Sequence, residues 1–517
     1  MITRRSVLRA GAGGAVVAAG GGLLTGGVAR ARTGPDWDRL RRHLAGELVL
    51  PADPGYDTAR VSAFTRYDDI RPAAVAYCAS AEDVRRCLLF AQDRGVAAVP
   101  RSGGHSGAGF SSTTGLVVDV SRFTGLSVGG DGDVTFGAGF RTVDLQARLS
   151  PYGLGLPGGS YPTVGAGGFI QGGGFGMDTR LSGMACDRLV AAEVVLACGR
   201  IVRCSARHEP DLFWALRGGG GGNFVVVTRY RARPVRALPV ASFSLVWPWP
   251  VAAAVVAAWQ EWLATGPNAL SAGLLVMLGD AAPGAVPAVL VSGSYQAATG
   301  DVAQAGGQRE ADRLVDLVVQ AGGQPPVNRS LSVASRLDTL MRTYQCGDRT
   351  VDQCHRVGDG PAGTIPRLGF AATADAFVGA DVPASGVAAV LAAFDSARRA
   401  GHTRFLSATG LGGAANDVPR QATAYVHRDS RYLLSFTSQF GRAPDTPDER
   451  AAAQAWVDAG FAAMAPHTNG EAYQNFPDPR RSDWRRAYYG ENYPRLVAVK
   501  RRYDPHRFFR FAQAIGV

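Results

Sequence analysis

Three glycine-rich stretches, 101–109, 156–176 and 218–222, hold the residues whose types and spacing are best suited to chemistry. In the first, a histidine, His105, stands among glycines directly after a predicted strand over 96–100. Because glycine has no Cβ, backbone N–H groups in such loops can approach the oxygens of a diphosphate closely. The stretches therefore predict the walls of one dinucleotide-binding site, with flexible linkers as the alternative interpretation.

The spacing of the glycines does not fit a Rossmann site. That site needs GxGxxG between a strand and its helix, with an acidic residue about 20 positions later. Here the turn at Gly172–Gly176 runs into residues 177–183, which show no helical register. The sequence therefore predicts a dinucleotide site in a different fold.

An alternating α/β pattern surrounds the glycine stretches. A strand is predicted over 75–78, followed by a helix that begins after Ser80 and ends near Gly95. Further strands are predicted over 116–120, 134–138 and 224–231, and a helix over 143–149. The strands over 190–196 and 199–203 are predicted to form a hairpin.

The amino-acid composition and pattern of the chain change after a proline-rich boundary at residues 234–250. Alanine- and valine-rich helices, over 251–264 and 383–401, alternate there with strand-like runs over 288–295 and 432–439. This pattern is typical of an antiparallel sheet covered by helices. A chain of 517 residues is too long for one core, so two domains are expected.

Charge and cysteine content exclude several kinds of partner. Residues 1–31 hold four arginines and no acidic residue, so without them the formal charge of +11 falls to +7. The remaining arginines form no basic run of the kind that binds nucleic acid. Seven cysteines occur without a CxxC pair or zinc-type spacing, so a metal is not expected. Cys346 and Cys354 are the nearest candidates for a disulfide, although sequence does not fix the pairing.

The N-terminus has the features of an export signal. Thr3–Arg9 contains paired arginines, a weakly apolar stretch follows, and Ala29–Ala31 gives a small-x-small cleavage pattern. We interpret residues 1–31 as a twin-arginine signal peptide, with a disordered arginine tail as the alternative. The expected location is periplasmic or extracellular. No other apolar run reaches the roughly 20 residues of a membrane helix, so no membrane span is expected.

Several motifs together resemble the berberine bridge enzyme-like FAD-linked oxidoreductases of the vanillyl-alcohol oxidase superfamily, which have a PCMH-type FAD-binding domain. The resemblance covers residues 55–234 and 470–517, in the family's order. Its motifs are Pro100–Ser106, Leu156–Gly165, Gly172–Gly176, Asp211–Phe224, Tyr488–Tyr493 and Tyr503–Pro505.

The resemblance implies an α+β fold, with a two-domain α/β organisation. Residues 55–234 would form the N-terminal part of the FAD-binding domain, and residues 471–517 the berberine-bridge-like segment that completes it. Residues 235–470 would form the substrate-binding domain, an antiparallel sheet covered by helices.

By the same resemblance, His105 carries FAD covalently through the 8α carbon of the flavin. Many relatives add a second bond from a cysteine, but Tyr161 stands at that position, so a single link is expected. Cys186 is interpreted as a structural thiol. The other residues expected to contact the cofactor are Arg101, Ser102, Gly103, Gly104, Ser106, Tyr161, Val164, Gly165, Gly168, Gly173, Gly176, Asp187 and Asn475.

The catalytic candidates also come from the resemblance. Tyr473 is the preferred base, either with a lowered pKa or acting only as the hydride leaves, and Asn475 is expected to hydrogen-bond near the flavin or substrate. Tyr425 and His427 lie on a predicted strand, Thr423–Arg428, on the face towards the flavin. The small Val164 favours reaction with oxygen.

The resulting hypothesis is an FAD-dependent oxidase that takes a hydride from a C–H bond of a carbohydrate, alcohol or secondary metabolite and gives H₂O₂. The expected partners are a small-molecule substrate and O₂, with no nucleic acid. The alternatives are a dehydrogenase that uses another acceptor and a non-catalytic exported flavin-binding protein.

Overall fold

A parallel β-strand–helix–strand unit leads into the first glycine loop. The strand Ala74–Tyr77 is followed by the helix Ala81–Arg94, whose N-terminus is capped by the Ser80 side chain, which accepts a hydrogen bond from the backbone N–H of Asp83. Gly95, at φ 66°, ends the helix in the left-handed region that favours glycine. This part of the prediction is confirmed.

The computed structural model describes residues 35–516, and Trp37–Val517 forms one compact unit. The proposed signal peptide at 1–31 lies outside the described residues. The strands are β1 Glu47–Val49, β2 Ala74–Tyr77, β3 Ala98–Arg101, β4 Leu116–Asp119, β5 Leu126–Val128, β6 Val134–Gly137, β7 Leu154–Gly155, β8 Leu189–Leu196, β9 Ile201–Ser205, β10 Val225–Ala232, β11 Val235–Arg236, β12 Val240–Pro248, β13 Leu270–Leu278, β14 Ala288–Gln296, β15 Asn328–Ala334, β16 Ala371–Val378, β17 His402–Gly410 and β18 Tyr432–Phe440.

The helices occupy the connections between these strands. They are α1 Trp37–His43, α2 Tyr56–Arg60, α3 Ala81–Arg94, α4 Thr142–Leu149, α5 Ala166–Gln171, α6 Thr179–Ser182, α7 Pro210–Ala215, α8 Ala252–Thr265, α9 Gly300–Gln320, α10 Arg336–Thr343, α11 Ala384–Asp395, α12 Pro447–Met464, α13 Trp484–Tyr489 and α14 Tyr493–Tyr503.

Two sheets precede residue 234. One has the order β1-β2-β4-β3, with β2, β4 and β3 parallel, and the other is antiparallel in the order β5-β6-β10-β8-β9. The predicted hairpin is confirmed, because β8 and β9 pair directly. Buried residues of both sheets share one core with residues 472–515, so the C-terminal segment packs on the N-terminal part of the chain.

The later part of the chain forms a seven-stranded antiparallel sheet in the order β15-β12-β14-β13-β17-β18-β16. One face of this sheet packs against helices α8, α9, α11 and α12, as the alternation of helical and strand-like runs in the sequence predicted. The helix predicted over 383–401 ends earlier, at Asp395, where an irregular segment containing Ala397 at positive φ leads into β17. The domain boundaries at 234 and 470 stay predictions.

A disulfide joins Cys346 and Cys354, the pair that the sequence left open. It lies in a small apolar cluster that includes Val143 of α4 and Leu340 and Met341 of α10. Within residues 35–516, no helix is both long and apolar enough to cross a membrane, and no group of His, Cys, Asp and Glu side chains is arranged to hold a metal ion.

Candidate functional site

A cavity of about 700 Å³ runs between the glycine loops and one face of the seven-stranded sheet. This volume falls within the range of small-molecule and cofactor sites. Its walls include the loop 101–107 after β3, the segment 159–171, the glycine run 220–222 and the irregular segment 473–480. The long loops of the sequence therefore converge on one site.

His105 lines this cavity. Its Nε2 lies 2.7 Å from the hydroxyl oxygen of Thr163, and its ring lies 5.3 Å from that of Tyr161 between centroids. Burial, together with the nearby positive charges of Arg356 and Arg141, lowers the pKa of His105 to about 3. The imidazole is therefore neutral at physiological pH and keeps one nitrogen with a free lone pair.

The first glycine loop offers an anion-binding surface. The backbone N–H groups of residues 103–107 donate no hydrogen bond to any residue of the described range 35–516. Gly103 and Gly165 touch backbone to backbone, so a side chain at either position would collide with the other loop. The two glycine stretches therefore pack against each other, and the N–H groups of residues 103–107 remain available to bind an anion.

The hydroxyl group of Tyr473, a residue that lines the cavity, is held in place by two hydrogen bonds. The oxygen accepts hydrogen bonds from the backbone N–H of Gly174 at 3.0 Å and from Nδ2 of Asn475 at 2.9 Å. Asn475 also donates to the carbonyl of Phe169 at 2.9 Å. Burial raises the pKa of Tyr473, and the two N–H donors only partly oppose this, so the lowered pKa considered for Tyr473 is not found.

Asp375 of β16 is a buried carboxyl that the sequence reasoning missed. Its Oδ1 accepts a hydrogen bond from the backbone N–H of Tyr473 at 3.1 Å. Burial raises its pKa to about 7, although this hydrogen bond and the charge of Arg481 act in the opposite direction. The available signal was a lone acidic residue in an otherwise uncharged strand, AATADAFV.

The sheet contributes a wall of neutral hydroxyl groups that sequence reasoning also missed. It consists of Thr373 on β16, Ser407 on β17, and Ser435 and Thr437 on β18. The cavity-lining carboxylate Asp478 is paired with Arg480 at 3.2 Å. The side of the cavity opposite the glycine loops is therefore polar through hydroxyl groups, and the buried carboxyl of Asp375 on β16 does not line it.

Most of the predicted site residues meet at this cavity. Those that line it are Arg101, Ser102, Gly103, Gly104, His105, Ser106, Tyr161, Val164, Gly165, Gly168, Tyr473 and Asn475. The guanidinium group of Arg101 is largely committed elsewhere, since it pairs with Asp119 at 2.6 Å and donates to the carbonyl of Ala59 at 2.7 Å.

Two predicted glycines serve packing and do not line the cavity. A Cβ on Gly173, which has φ 113°, would meet the ring of Tyr425. A Cβ on Gly176 would collide with the carbonyl oxygen of Gly158. At both positions the missing side chain is required by close approaches within the protein, and the expected cofactor contacts stay predictions.

Asp187 does not line the cavity either. Its carboxylate forms a bidentate ion pair with Arg428, at 2.6 and 2.8 Å, and accepts the N–H of Met184 at 2.9 Å. Its oxygens are therefore occupied by protein donors. Neighbouring Cys186 is fully buried, and burial raises its pKa, so the thiol lies away from the cavity in its unreactive form.

The strand predicted over Thr423–Arg428 is wrong. The segment is irregular, because its backbone is used by other loops: the N–H of Tyr425 donates to the carbonyl of Arg217. Tyr425 and His427 do contact each other, with ring centroids 5.0 Å apart. Both are buried behind the cavity wall, however, and neither lines the cavity.

Comparisons with known proteins agree with this architecture. Residues 72–205 match the FAD binding domain family, and residues 472–516 match the family described as berberine and berberine like. The FAD-linked oxidoreductase YgaK of Bacillus subtilis is 29% identical over 485 residues, which cover 91% of this chain and 97% of that protein. The xylooligosaccharide oxidase of Thermothelomyces thermophilus is 29% identical over 468 residues, with 86% and 87% covered.

Two solved structures share the fold. Physcomitrella patens BBE-like 1 superposes with a TM-score of 0.80 at 23% identity and covers 92% of this chain and 98% of its own. Glucooligosaccharide oxidase from Acremonium strictum superposes with a TM-score of 0.76 at 23% identity, with 91% and 97% covered. This chain is an FAD-linked oxidoreductase with an FAD-binding domain and a berberine-like C-terminal segment.

The cavity of this oxidoreductase fits FAD on its own structural evidence. Side chains that line it keep buried polar atoms without a hydrogen-bond partner in the described chain: Arg101 Nη1, Ser111 Oγ, Gln171 Oε1 and Gln513 Oε1. Together with the N–H groups of 103–107, these atoms would hold the cofactor. Gly168 faces open space at the cavity wall, and a side chain there would enter that space.

Proposed function

We propose that this oxidoreductase is an oxidase of neutral, hydroxylated small molecules, in which Tyr473 receives the substrate proton. The arrangement of Tyr473 carries the proposal, because its oxygen accepts two N–H hydrogen bonds at a cavity whose facing wall is made of hydroxyl side chains. Those hydroxyls complement a sugar or an alcohol better than a cationic amine, for which an unpaired carboxylate would be expected. The similarity to a xylooligosaccharide oxidase supports the same substrate class.

The proton-accepting form of Tyr473 is the phenolate. Two N–H donors stabilise negative charge on its oxygen, whereas burial keeps its pKa above the ordinary value. The phenolate fraction therefore grows as pH rises, and kcat/KM is expected to increase with pH through the alkaline range. An acidic optimum of kcat/KM would contradict the role of Tyr473 as the base.

FAD, when bound, would supply the two-electron acceptor for the substrate hydride and pass the electrons to O₂, giving H₂O₂. Val164 lines the cavity as a small side chain, which supports access of O₂ and favours an oxidase over a dehydrogenase. The decisive assay is a panel of sugars, alcohols and amines that follows both peroxide release and bleaching of the flavin.

Each result of this assay has a defined meaning. Peroxide release with sugars or alcohols supports the proposal. Bleaching without peroxide, followed by slow reoxidation in air, would show a dehydrogenase. Failure of the flavin to bleach with the whole panel would favour a non-catalytic flavin-binding protein.

The proposal includes a single covalent link between FAD and His105. The neutral His105 directs Nε2 towards Thr163, which leaves Nδ1 as the nucleophilic nitrogen when Nε2 donates to the hydroxyl. The flavin of glucooligosaccharide oxidase is described as 6-S-cysteinyl, 8α-N1-histidyl FAD. Tyr161, a phenol, cannot supply a thioether at the expected position of the cysteine.

Flavin attachment is tested by acid precipitation and peptide mass mapping. The wild-type pellet is expected to stay yellow, the His105→Ala pellet to lose its colour, and the Cys186→Ala pellet to keep it. A thioether found on Cys186 would overturn the single link. Tyr161→Cys is the informative gain-of-function variant, since a second bond in it would show that only the phenol prevents the link.

We also propose export through the twin-arginine route, on the basis of Thr3–Arg9 and Ala29–Ala31. This route carries folded proteins, which suits a protein that acquires its cofactor before export. Replacing Arg4 and Arg5 by lysine is expected to retain the protein in the cytoplasm, as measured by fractionation. Unchanged export would contradict the signal.

A further inference from the structure

His427 is a buried histidine whose two ring nitrogens both meet acceptors. Its Nδ1 lies 2.7 Å from a carboxylate oxygen of Glu471, and its Nε2 lies 3.1 Å from Oε1 of Gln474. The His427 side chain has no exposed surface. Gln474 lines the cavity, whereas His427 lies directly behind it.

The orientation of the Gln474 amide is fixed by the third glycine stretch. Its Nε2 donates to the carbonyl oxygen of Gly218 at 2.7 Å. A carbonyl only accepts hydrogen bonds, so the amide nitrogen must face Gly218 and the amide oxygen must face His427. The nitrogen of His427 on this side must therefore carry a hydrogen.

Nδ1 of His427, which faces Glu471, must carry a hydrogen as well. The guanidinium group of Arg420, which stays charged in proteins, pairs with the other oxygen of Glu471, so Glu471 is a carboxylate independently of His427. An ionised carboxylate only accepts. With acceptors on both sides, His427 is satisfied only as the doubly protonated imidazolium.

The surroundings of His427 are otherwise aromatic. The Phe377 ring stacks on it at 4.3 Å, and the Tyr425 ring meets it edge-on at 5.0 Å. Both rings also contact the ring of Tyr473, each at 6.4 Å between centroids. The charged and titratable groups around His427 are Glu471, Arg420 on the far oxygen of Glu471, Tyr425, Tyr473 and the adjacent Arg428–Asp187 pair.

We propose that His427 is a positioning residue that closes the turn from Glu471 to Gln474 and thereby holds Tyr473 at the cavity. Glu471 and Gln474 flank Tyr473 in the chain, and one imidazolium joins their side chains. The proposal rests on the proposed function for the role of Tyr473, but the protonation state of His427 does not depend on it.

The arrangement has a consequence for pH dependence. When His427 loses one proton, a lone pair faces either the Glu471 carboxylate or the Gln474 oxygen. Gln474 cannot turn its amide without losing its bond to Gly218. The turn therefore loosens as pH rises, which sets an upper limit to the alkaline activity that Tyr473 supplies.

The protonation state is tested directly by ¹⁵N NMR of the flavin-loaded protein labelled on histidine. His427 is assigned from the signal that disappears in His427→Asn, or, if this variant does not fold, from the signal that moves in Glu471→Gln. Both nitrogens of His427 are expected to give imidazolium shifts near pH 6. A single pyridine-like nitrogen under these conditions would overturn the proposal, whether or not the protein oxidises any substrate.

Kinetics test the positioning role separately. In Glu471→Gln the imidazolium loses its negatively charged partner. The upper limb of the kcat profile is therefore expected to shift to a pH lower by about one unit or more. His427→Asn should lower kcat about tenfold, with a smaller change in KM. An unchanged upper limb in Glu471→Gln would overturn the positioning role.

The matched control is His402, a second fully buried histidine. Its Nε2 lies 2.7 Å from Glu449, and it does not line the cavity. His402→Asn is expected to lower thermal stability without moving the pH profile. A shift as large as that of Glu471→Gln would show that loss of any buried histidine–glutamate pair produces the effect, which would refute the proposal.

Discussion

Replacing Asp375 by asparagine should stabilise the protein, and the gain should grow as pH rises from about 4 to about 7. The carboxyl is 5% exposed, and it receives the backbone N–H of Tyr473. The amide oxygen of asparagine can accept the same hydrogen bond, so the substitution chiefly removes the charge.

The magnitude follows from linkage between protonation and folding. The pKa of Asp375 rises from 3.8 to about 7 in the folded state. Between these values the folded protein binds a proton that the unfolded chain has released, so stability falls as pH rises. At about 1.4 kcal/mol per pKa unit, the buried charge costs roughly 4 kcal/mol above pH 7 and nothing below pH 4.

The assay is thermal and denaturant unfolding of the wild type and Asp375→Asn, both with flavin bound, at pH 5 and pH 8.5. We expect the variant to gain most of roughly 4 kcal/mol, or a few degrees in melting temperature, at pH 8.5 and only a fraction of this at pH 5. Asp119→Asn is the control, and it should lower the stability of the protein because it leaves the buried Arg101 without its ion-pair partner.

An equal stability change in Asp375→Asn at both pH values would refute this reasoning, since it would show that burial does not hold the carboxyl protonated. Loss of stability at pH 8.5 would refute it more strongly. If stability rises while kcat falls, Asp375 is a group whose unfavourable burial is retained for activity.

Three further predictions follow from individual contacts. Tyr473→Phe should lower kcat by about 10²–10⁴ while the covalent flavin content, read from absorbance after acid precipitation, stays unchanged; a loss below threefold would exclude Tyr473 as the proton acceptor. Arg428→Met should destabilise the protein by about 3–5 kcal/mol, because the partly buried Asp187 loses its partner, and adding Asp187→Asn should restore part of that loss in denaturant unfolding. Cys354→Ser should cost about 2–3 kcal/mol in thermal unfolding, and a reductant should bring the wild type to the same stability; an equal effect of reductant on the variant would contradict this.

The sequence by itself determined the local elements and the walls of the site. Ser80 and Gly95 marked the ends of one helix because a side-chain cap and a left-handed glycine are properties of single residues. The glycine stretches identified the cavity, since close backbone approach requires that residue type. Tyr473, Asn475 and His105 were found through short motifs, and all three line the cavity.

Only the tertiary structure decided which side chains are available at the cavity. Asp187 and Arg428 are far apart in sequence, and their ion pair occupies the carboxylate of Asp187, which does not line the cavity. Asp375 and the hydroxyl side chains lie on β16, β17 and β18, which are brought together and placed beside the Tyr473 segment only when the sheet has formed. Likewise, His427 is turned from a catalytic candidate into a buried partner of Glu471 and Gln474. Burial and hydrogen-bond partners depend on long-range contacts, which residue spacing along the chain does not encode.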